Sequence, residues 1–158
     1  MKALVLPEDH PVAPVALIES KHKYSALTAR IIKSAMTVHS TLGNGFQEVI
    51  YQRALAIEMM EDALTYERKC EIAIFYKEKE IGSRRVDFLV EGKVSVELKA
   101  LTKLEPVHYA QTINYLEAFK LEVGLLLNFG ATSLEFKRFS NHKFRDSPQR
   151  NSLPEQQE

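Results

Sequence analysis

The sequence predicts an α/β sandwich in which a mixed β-sheet is flanked by helices. Three observations favour this class. Apolar residues recur at helical spacing early in the chain, alternating strand patterns follow, and a buried-type apolar run comes after a third helical pattern. The predicted element order is ααβββαββ, with about five strands in the sheet.

The predicted helices are marked by apolar spacing and by helix breakers. The first pattern has apolar residues three or four apart: Leu27, Ile31, Ala35, Val38 and Leu42. It predicts a helix over residues 25–42, ended by Gly43-Asn44-Gly45. A second helix is predicted over about 46–62, with apolar positions at Val49, Ile50, Ile57 and Met60. Pro106 fits the first turn of a third helix, which reaches about Lys120.

The predicted strands show period-two alternation or continuous apolar runs. They cover residues 70–76, 81–90, 94–99, 123–129 and 134–139. The run at 123–129 is typical of a strand that is buried on both faces. The last strand alternates, which indicates a place nearer the edge of the sheet.

Length and charge exclude several classes of protein. The chain has 158 residues, as expected of one domain, and its 21 cationic and 21 anionic side chains leave no net charge. A strongly basic nucleic-acid coat protein is therefore excluded. The single cysteine, Cys70, forms neither an intrachain disulfide nor a zinc cluster, and no apolar run approaches the ~20 residues of a membrane span. We expect a reduced, cytoplasmic setting without membrane contact.

The chain divides into three predicted regions. Residues 1–24 are proline-rich and are expected to form an N-terminal extension, and residues 25–140 form the domain. Residues 141–158 are expected to be a basic and polar, disordered tail. The stretch from Lys137 to Arg150 carries five cations against Asp146 alone, which suits either phosphate contact or a solvated surface.

The hairpin that contains Asp87 and Glu97 can pair in two registers. A two-residue loop would mix apolar and charged side chains on both faces, which a half-buried sheet disfavours. A three-residue loop, residues 91–93, gathers the apolar side chains on one face. On the other face it sets Asp87 opposite Glu97. The same register sets Arg85 opposite Lys99, and we predict this second register.

The predicted register has a chemical consequence. Asp87 and Glu97 would have Cβ atoms about 5 Å apart, so their carboxylates repel unless one is protonated or a cation lies between them. Without metal, we expect one carboxyl pKa to rise, with the like charge as the first cause. A divalent cation would relieve the repulsion, and Lys99 could activate a water beside it. The alternative is a solvated strand face with weak salt bridges.

Two further sets of side chains are candidates. Glu48 lies three residues after Gly45, where a carboxylate either complements the helix dipole or leans toward the metal site. His108, Gln111 and Tyr115 share one stripe of the third helix. That stripe is either an exposed, hydrogen-bonded face or a contact to substrate phosphates.

Four motifs follow one another in the sequence: Gly45-Phe46-Gln47-Glu48-Val49-Ile50-Tyr51, Arg85-x-Asp87, Glu97-Leu98-Lys99 and Gln111-x-x-x-Tyr115. In this order they resemble the GxxExxY family, which is placed in the PD-(D/E)xK superfamily of restriction-endonuclease-like nucleases. The resemblance covers about residues 26–140 and implies a restriction-endonuclease-like sandwich. The sequence departs from the family at Asn44, where proline is common, and at Val86, where the superfamily name has proline.

The resemblance implies five catalytic residues: Glu48, Asp87, Glu97, Lys99 and Gln111. Asp87 and Glu97 would bind Mg²⁺, for which Mn²⁺ can substitute, with help from the backbone carbonyl of Leu98. Glu48 would complete the metal site directly or through water. Lys99 would position or deprotonate the attacking water, and Gln111 would be oriented toward the site.

The function expected from these residues is metal-dependent hydrolysis of phosphodiester bonds in nucleic acid, with DNA favoured by analogy to the superfamily. Arg85, Tyr115 and His108 are the candidate substrate-binding residues. A homodimer is expected if both strands of a duplex are cut. The alternative is a non-catalytic module that binds nucleic acid or a protein on the same scaffold.

Overall fold

The computed structural model describes residues 23–141, which form one mixed sheet with helices on both faces. The elements are α1 (Ser25–Leu42), α2 (Glu48–Glu61), β1 (Tyr66–Tyr76), β2 (Lys79–Val90), β3 (Val94–Lys99), α3 (Pro106–Phe119), β4 (Val123–Asn128) and β5 (Glu135–Ser140). The predicted order ααβββαββ is confirmed. The predicted extension and tail lie outside the described residues, apart from residues 23, 24 and 141.

The boundaries of some elements agree with the prediction, and those of others differ by a few residues. α1 and β3 have the predicted bounds, whereas α2 begins at Glu48 because Gln47 before it is still extended, with φ −72° and ψ 154°. β1 begins at Tyr66, four residues earlier than predicted. The first half of β1 is charged and lacks the alternation of apolar and polar residues that predicts a strand. It nevertheless pairs with β2, beginning with Tyr66 opposite Val90.

The strands follow the spatial order β1-β2-β3-β4-β5. β3 and β4 are parallel, and the other neighbours are antiparallel. Every residue of β4 is buried, as its apolar run predicts, and β5 lies at an edge. The β2–β3 pairs are Phe88 with Val96, Leu89 with Ser95 and Val90 with Val94, which confirms the register of the three-residue loop.

The larger core lies between the sheet and the two N-terminal helices. Its buried strand residues are Phe88, Val90, Val94, Val96, Leu98, Val123, Leu125 and Leu127. The predicted apolar positions of α2 are wrong in part, because Ile57 and Met60 are 54% and 64% exposed. α2 is apolar around much of its circumference, so its spacing does not select a face. Packing selects the face that carries Tyr51, whose ring stacks on Phe129 with 4.8 Å between centroids.

A smaller core lies on the other face of the sheet, beneath α3. It consists of Leu104, Leu116, Leu126 and Phe139. Gly124 on β4 permits the close approach of this helix. A Cβ at Gly124 would lie 2.9 Å from Cδ2 of Leu116 and 2.8 Å from Oγ of Ser95. The missing side chain therefore sets how near α3 comes to β4.

Membrane insertion is not indicated by any helix in residues 23–141. The helices there lack the length and apolar character needed to cross a bilayer.

The connection after β4 is constrained at Gly130. A Cβ there would lie 2.4 Å from the backbone N and O of Leu101 and 2.5 Å from the backbone carbon of Ala100. Backbone atoms of a neighbouring segment cannot rotate aside as a side chain does.

We expect Gly130→Ala to lower the free energy of unfolding by about 1–3 kcal/mol, measured by chemical denaturation. Gly82→Ala is the control, because nothing lies within 4 Å of its Cβ position. Equal effects at the two glycines would contradict this packing.

Candidate active site

The strands β2 and β3 stop pairing where the two predicted metal ligands stand. Backbone pairing runs from the turn as far as Phe88 opposite Val96. Beyond that point the backbone N–H of Asp87 donates to Oε1 of Glu97 over 3.2 Å. The backbone N–H of Leu98 donates to Oδ2 of Asp87 over 2.8 Å. The two carboxyl groups therefore meet, as predicted, but in a gap between the strands rather than above a regular ladder.

The second turn of α2 reaches this gap through a glutamine, Gln52, that the sequence analysis did not name. Nε2 of Gln52 donates to Oδ1 of Asp87 over 3.1 Å and to Oε1 of Glu48 over 3.4 Å. Gln52 thus joins the helical acid to the acid of β2. The available signal was its position one helical turn after Glu48, since residues four apart share a helix face.

The tyrosine of the first motif fixes the start of α2. Its hydroxyl donates to the carbonyl oxygen of Gly43 over 2.6 Å and accepts the backbone N–H of Phe46 over 3.1 Å. Gly43 has φ 70°, a conformation that favours glycine. Tyr51 is fully buried and stacks on Phe129. Tyr51 therefore holds the glycine turn in place, and this turn sets the position of Glu48 at the start of α2.

The acids carry unusual pKa values because they are removed from water. Burial, followed by the charge of Asp87, raises the pKa of Glu97 to about 8. Burial also raises the pKa values of Asp87 and Glu48. The predicted upward shift is present, but the predicted cause is wrong in its order, because burial exceeds the like charge. All three acids are therefore harder to ionise than exposed acids, and a bound cation would favour their ionised forms.

Lys99 is the last residue of β3 and is partly buried. Its positive charge lowers the pKa values of Glu48, Asp87 and Glu97, so all three carboxyl groups lie within its field. The structure therefore brings four of the five predicted catalytic residues to one place.

The three residues of the polar stripe on α3 differ in how they relate to the acids. Burial, then the charge of Glu97, raises the pKa of Tyr115, so its hydroxyl lies within the field of the acids. Gln111 is partly buried one turn earlier, and no hydrogen bond among residues 23–141 joins it to the acids. His108 lies in the first turn of α3, where its Nδ1 accepts the backbone N–H of Glu105 over 2.9 Å.

The two arginines of β2 differ in their surroundings. Arg85 is 60% exposed and lies 3.8 Å from Oε2 of Glu71 on β1. The described β2–β3 pairing ends before Arg85, so the predicted cross-strand pair with Lys99 is absent from it. The guanidinium of Arg84 lies over the ring of Tyr115, 5.8 Å from its centroid. Arg84 was not a candidate in the sequence, because strand alternation places Arg85 with Asp87.

The donor set fits a hard divalent cation that keeps part of its water. Among residues 23–141, no three or more His, Cys, Asp and Glu side chains are grouped so that they could hold a metal ion. Magnesium commonly binds through one or two carboxylates and retains water and phosphate ligands. Asp87 and Glu97 offer such a pair of carboxylates, with Glu48 linked through Gln52.

The raised pKa of Glu97 predicts a specific pH dependence of stability. Between about pH 4.5 and 8 the metal-free folded protein retains a proton that the unfolded chain releases, so stability falls as pH rises through this window. Glu97→Gln removes the titration and should flatten the decline. We expect the Tm of wild type in EDTA to fall more between pH 5 and pH 8 than that of the variant. Glu80→Gln, at an exposed site, should follow wild type. Parallel curves for wild type and Glu97→Gln would contradict the burial of this acid.

Comparison with known proteins identifies the family. No curated protein matches the chain. One solved structure that matches is described as the crystal structure of SSO0001, with 17% sequence identity over 75% of this chain and a TM-score of 0.49. This chain spans 60% of the length of that protein.

A family model of the PD-(D/E)XK nuclease superfamily matches residues 25–139, which contain the gap between β2 and β3 and all of the predicted catalytic residues. The narrower GxxExxY assignment remains a prediction from the motifs. The chain belongs to the PD-(D/E)XK nuclease superfamily.

Proposed function

We propose that this chain is a metal-dependent nuclease that hydrolyses phosphodiester bonds, with DNA as its substrate. The observation that carries the proposal is the meeting of Asp87 and Glu97 in the gap between β2 and β3, with Lys99 beside them. Membership in the superfamily supports nuclease chemistry. The GxxExxY assignment and the preference for DNA rest on the motifs and on analogy.

Asp87 and Glu97 would hold Mg²⁺ or Mn²⁺, helped by the backbone carbonyl of Leu98. Glu48 would reach the ion through water. When bound, the ion would neutralise phosphate charge and lower the pKa of a water molecule. Partial burial supports this assignment, because two carboxylates removed from bulk water gain more from a cation than exposed ones do.

Lys99 and Gln52 have separate roles in the proposed reaction. The ammonium of Lys99 can hold the attacking water and stabilise negative charge on the phosphoryl oxygens. The water attacks phosphorus in line with the leaving oxygen, whose bond to phosphorus breaks. Gln52 fixes the carboxylate of Asp87 through its amide, so the acid is oriented before substrate arrives.

The substrate would lie between the acids and the helix α3. Tyr115 lies within the electrostatic field of Glu97, and Gln111 lies one turn away on the same stripe. We assign to Gln111 a hydrogen bond to the substrate. The candidates Arg85 and His108 have weaker support, since Arg85 pairs with Glu71 and His108 holds the start of the helix.

Small nucleases that cut both strands of a duplex often do so as dimers. The described residues place one pair of carboxyl groups at one gap, and one such site attacks one strand at a time. We therefore include a homodimer in the proposal for duplex substrates. A monomer would produce nicked rather than linear plasmid.

Removal of either Asp87 or Lys99 should abolish cleavage. We expect Asp87→Asn and Lys99→Ala to lower kcat by about 10²-fold or more, because each removes a group that acts on the transition state. The assay uses plasmid and single-stranded DNA with Mg²⁺ or Mn²⁺, and Glu80→Gln is the exposed acid-to-amide control. Cleavage that survives both substitutions would mean that another site acts. If folded wild type neither cleaves nor binds metal in calorimetry, a non-catalytic binding module is supported instead.

A further inference from the structure

We propose that Arg84 and Tyr115 form a phosphate-binding subsite beside the acid pair, which grips the substrate strand at a phosphodiester other than the one that is cleaved. This inference rests on the proposed nuclease function and adds a residue outside the four sequence motifs. The ligand class is a nucleic-acid phosphodiester.

The position of the two residues supports this subsite. Arg84 precedes Asp87 by three residues on β2, which corresponds to about 10 Å along a strand. Its guanidinium lies over the Tyr115 ring, 5.8 Å from the centroid, so it joins β2 to α3 at the side of the acids. Successive phosphates of one DNA strand advance about 3.4 Å along the helix axis. An arginine about 10 Å along the strand from Asp87 therefore suits a phosphate about three nucleotides from the one that is cleaved.

The charge of Arg84 is available for a ligand. None of the ion pairs formed within residues 23–141 involves Arg84, whereas Arg85 lies 3.8 Å from a carboxylate oxygen of Glu71. Arg84 is exposed, so phosphate can reach its guanidinium. A chain with no net charge needs such a local cation to attract an anionic strand toward a cluster of acids.

The aromatic contact prepares the guanidinium for binding. An arginine held over a ring by a cation–π contact loses less freedom when it binds, and its planar donors match two oxygens of one phosphate. The partly buried ring of Tyr115 is itself fixed on α3, next to Leu116, which packs against β4 at Gly124. The subsite is therefore built on the strand that carries Asp87 and on a helix that packs against the sheet.

Nucleic-acid binding without divalent metal provides the test. The affinity of a short single-stranded DNA is measured in EDTA over a range of salt concentrations. We expect Arg84→Ala to raise Kd about tenfold and to reduce the slope of log K against log salt by about 0.7. Arg84→Lys should keep most of the slope, because the charge remains, while it loses part of the affinity.

A matched control separates phosphate contact from loss of charge alone. Arg30 is an exposed arginine paired with Asp62, and it lies near Glu91, at the end of β2 away from Arg84. Arg30→Ala should change the slope much less than Arg84→Ala. Thermal unfolding of each variant shows whether a change in affinity reflects a loss of structure.

The outcomes distinguish this subsite from the proposed function. If Arg84→Ala and Arg30→Ala shift Kd and slope equally, or if Arg85→Ala has the larger effect, the subsite is wrong while the nuclease proposal stands. If wild type cleaves and Arg84→Ala changes kcat without changing KM, Arg84 acts in catalysis and not in a binding subsite. If wild type cleaves DNA with Mg²⁺ but binds none in EDTA at any salt concentration, the subsite is wrong while the nuclease proposal stands.

Discussion

The site depends on one exchange of hydrogen-bond partners. Where β2 and β3 part, the backbone amides of Asp87 and Leu98 bond to carboxylate oxygens of Glu97 and Asp87 instead of to carbonyl groups. The exchange satisfies both amides and holds two acids within one partly buried gap. The free energy of the arrangement is unfavourable for ionised acids, since burial raises the pKa of each. A divalent cation would convert this cost into binding affinity.

The rest of the fold positions groups around that gap. Tyr51 holds the glycine turn and so determines where α2 begins, and Gln52 then reaches Asp87 from the first turns of the helix. On the opposite face, Gly124 lets α3 come close to the sheet. Two helices that belong to separate hydrophobic cores thereby deliver side chains to the same end of β2 and β3. Neither helix needs a strongly amphipathic sequence for this, because the ends of β2 and β3 determine where the site lies.

The sequence predicted well those features that depend on neighbours along the chain or across a short turn. The register of the β2–β3 hairpin follows from the separation of apolar and charged side chains, and it places Asp87 and Glu97 correctly. The contribution of Gln52 was not predicted, because the strands must first separate before a helix can reach Asp87. The sequence also did not predict that Arg84, rather than Arg85, lies near Tyr115. Alternation describes a strand that is paired on both sides, whereas the outer part of β2 is paired with β1 but no longer with β3. The exposed face of α2 was missed because its apolar residues surround the helix.

The most direct test of the account is anomalous diffraction from crystals soaked with Mn²⁺. The account predicts a manganese peak at about 2.0–2.3 Å from one carboxylate oxygen of Asp87 and one of Glu97, with the ammonium of Lys99 beside the ion's water ligands. A fully occupied peak at a different cluster of acids would contradict it. So would the absence of any peak at this gap in crystals that take up manganese elsewhere.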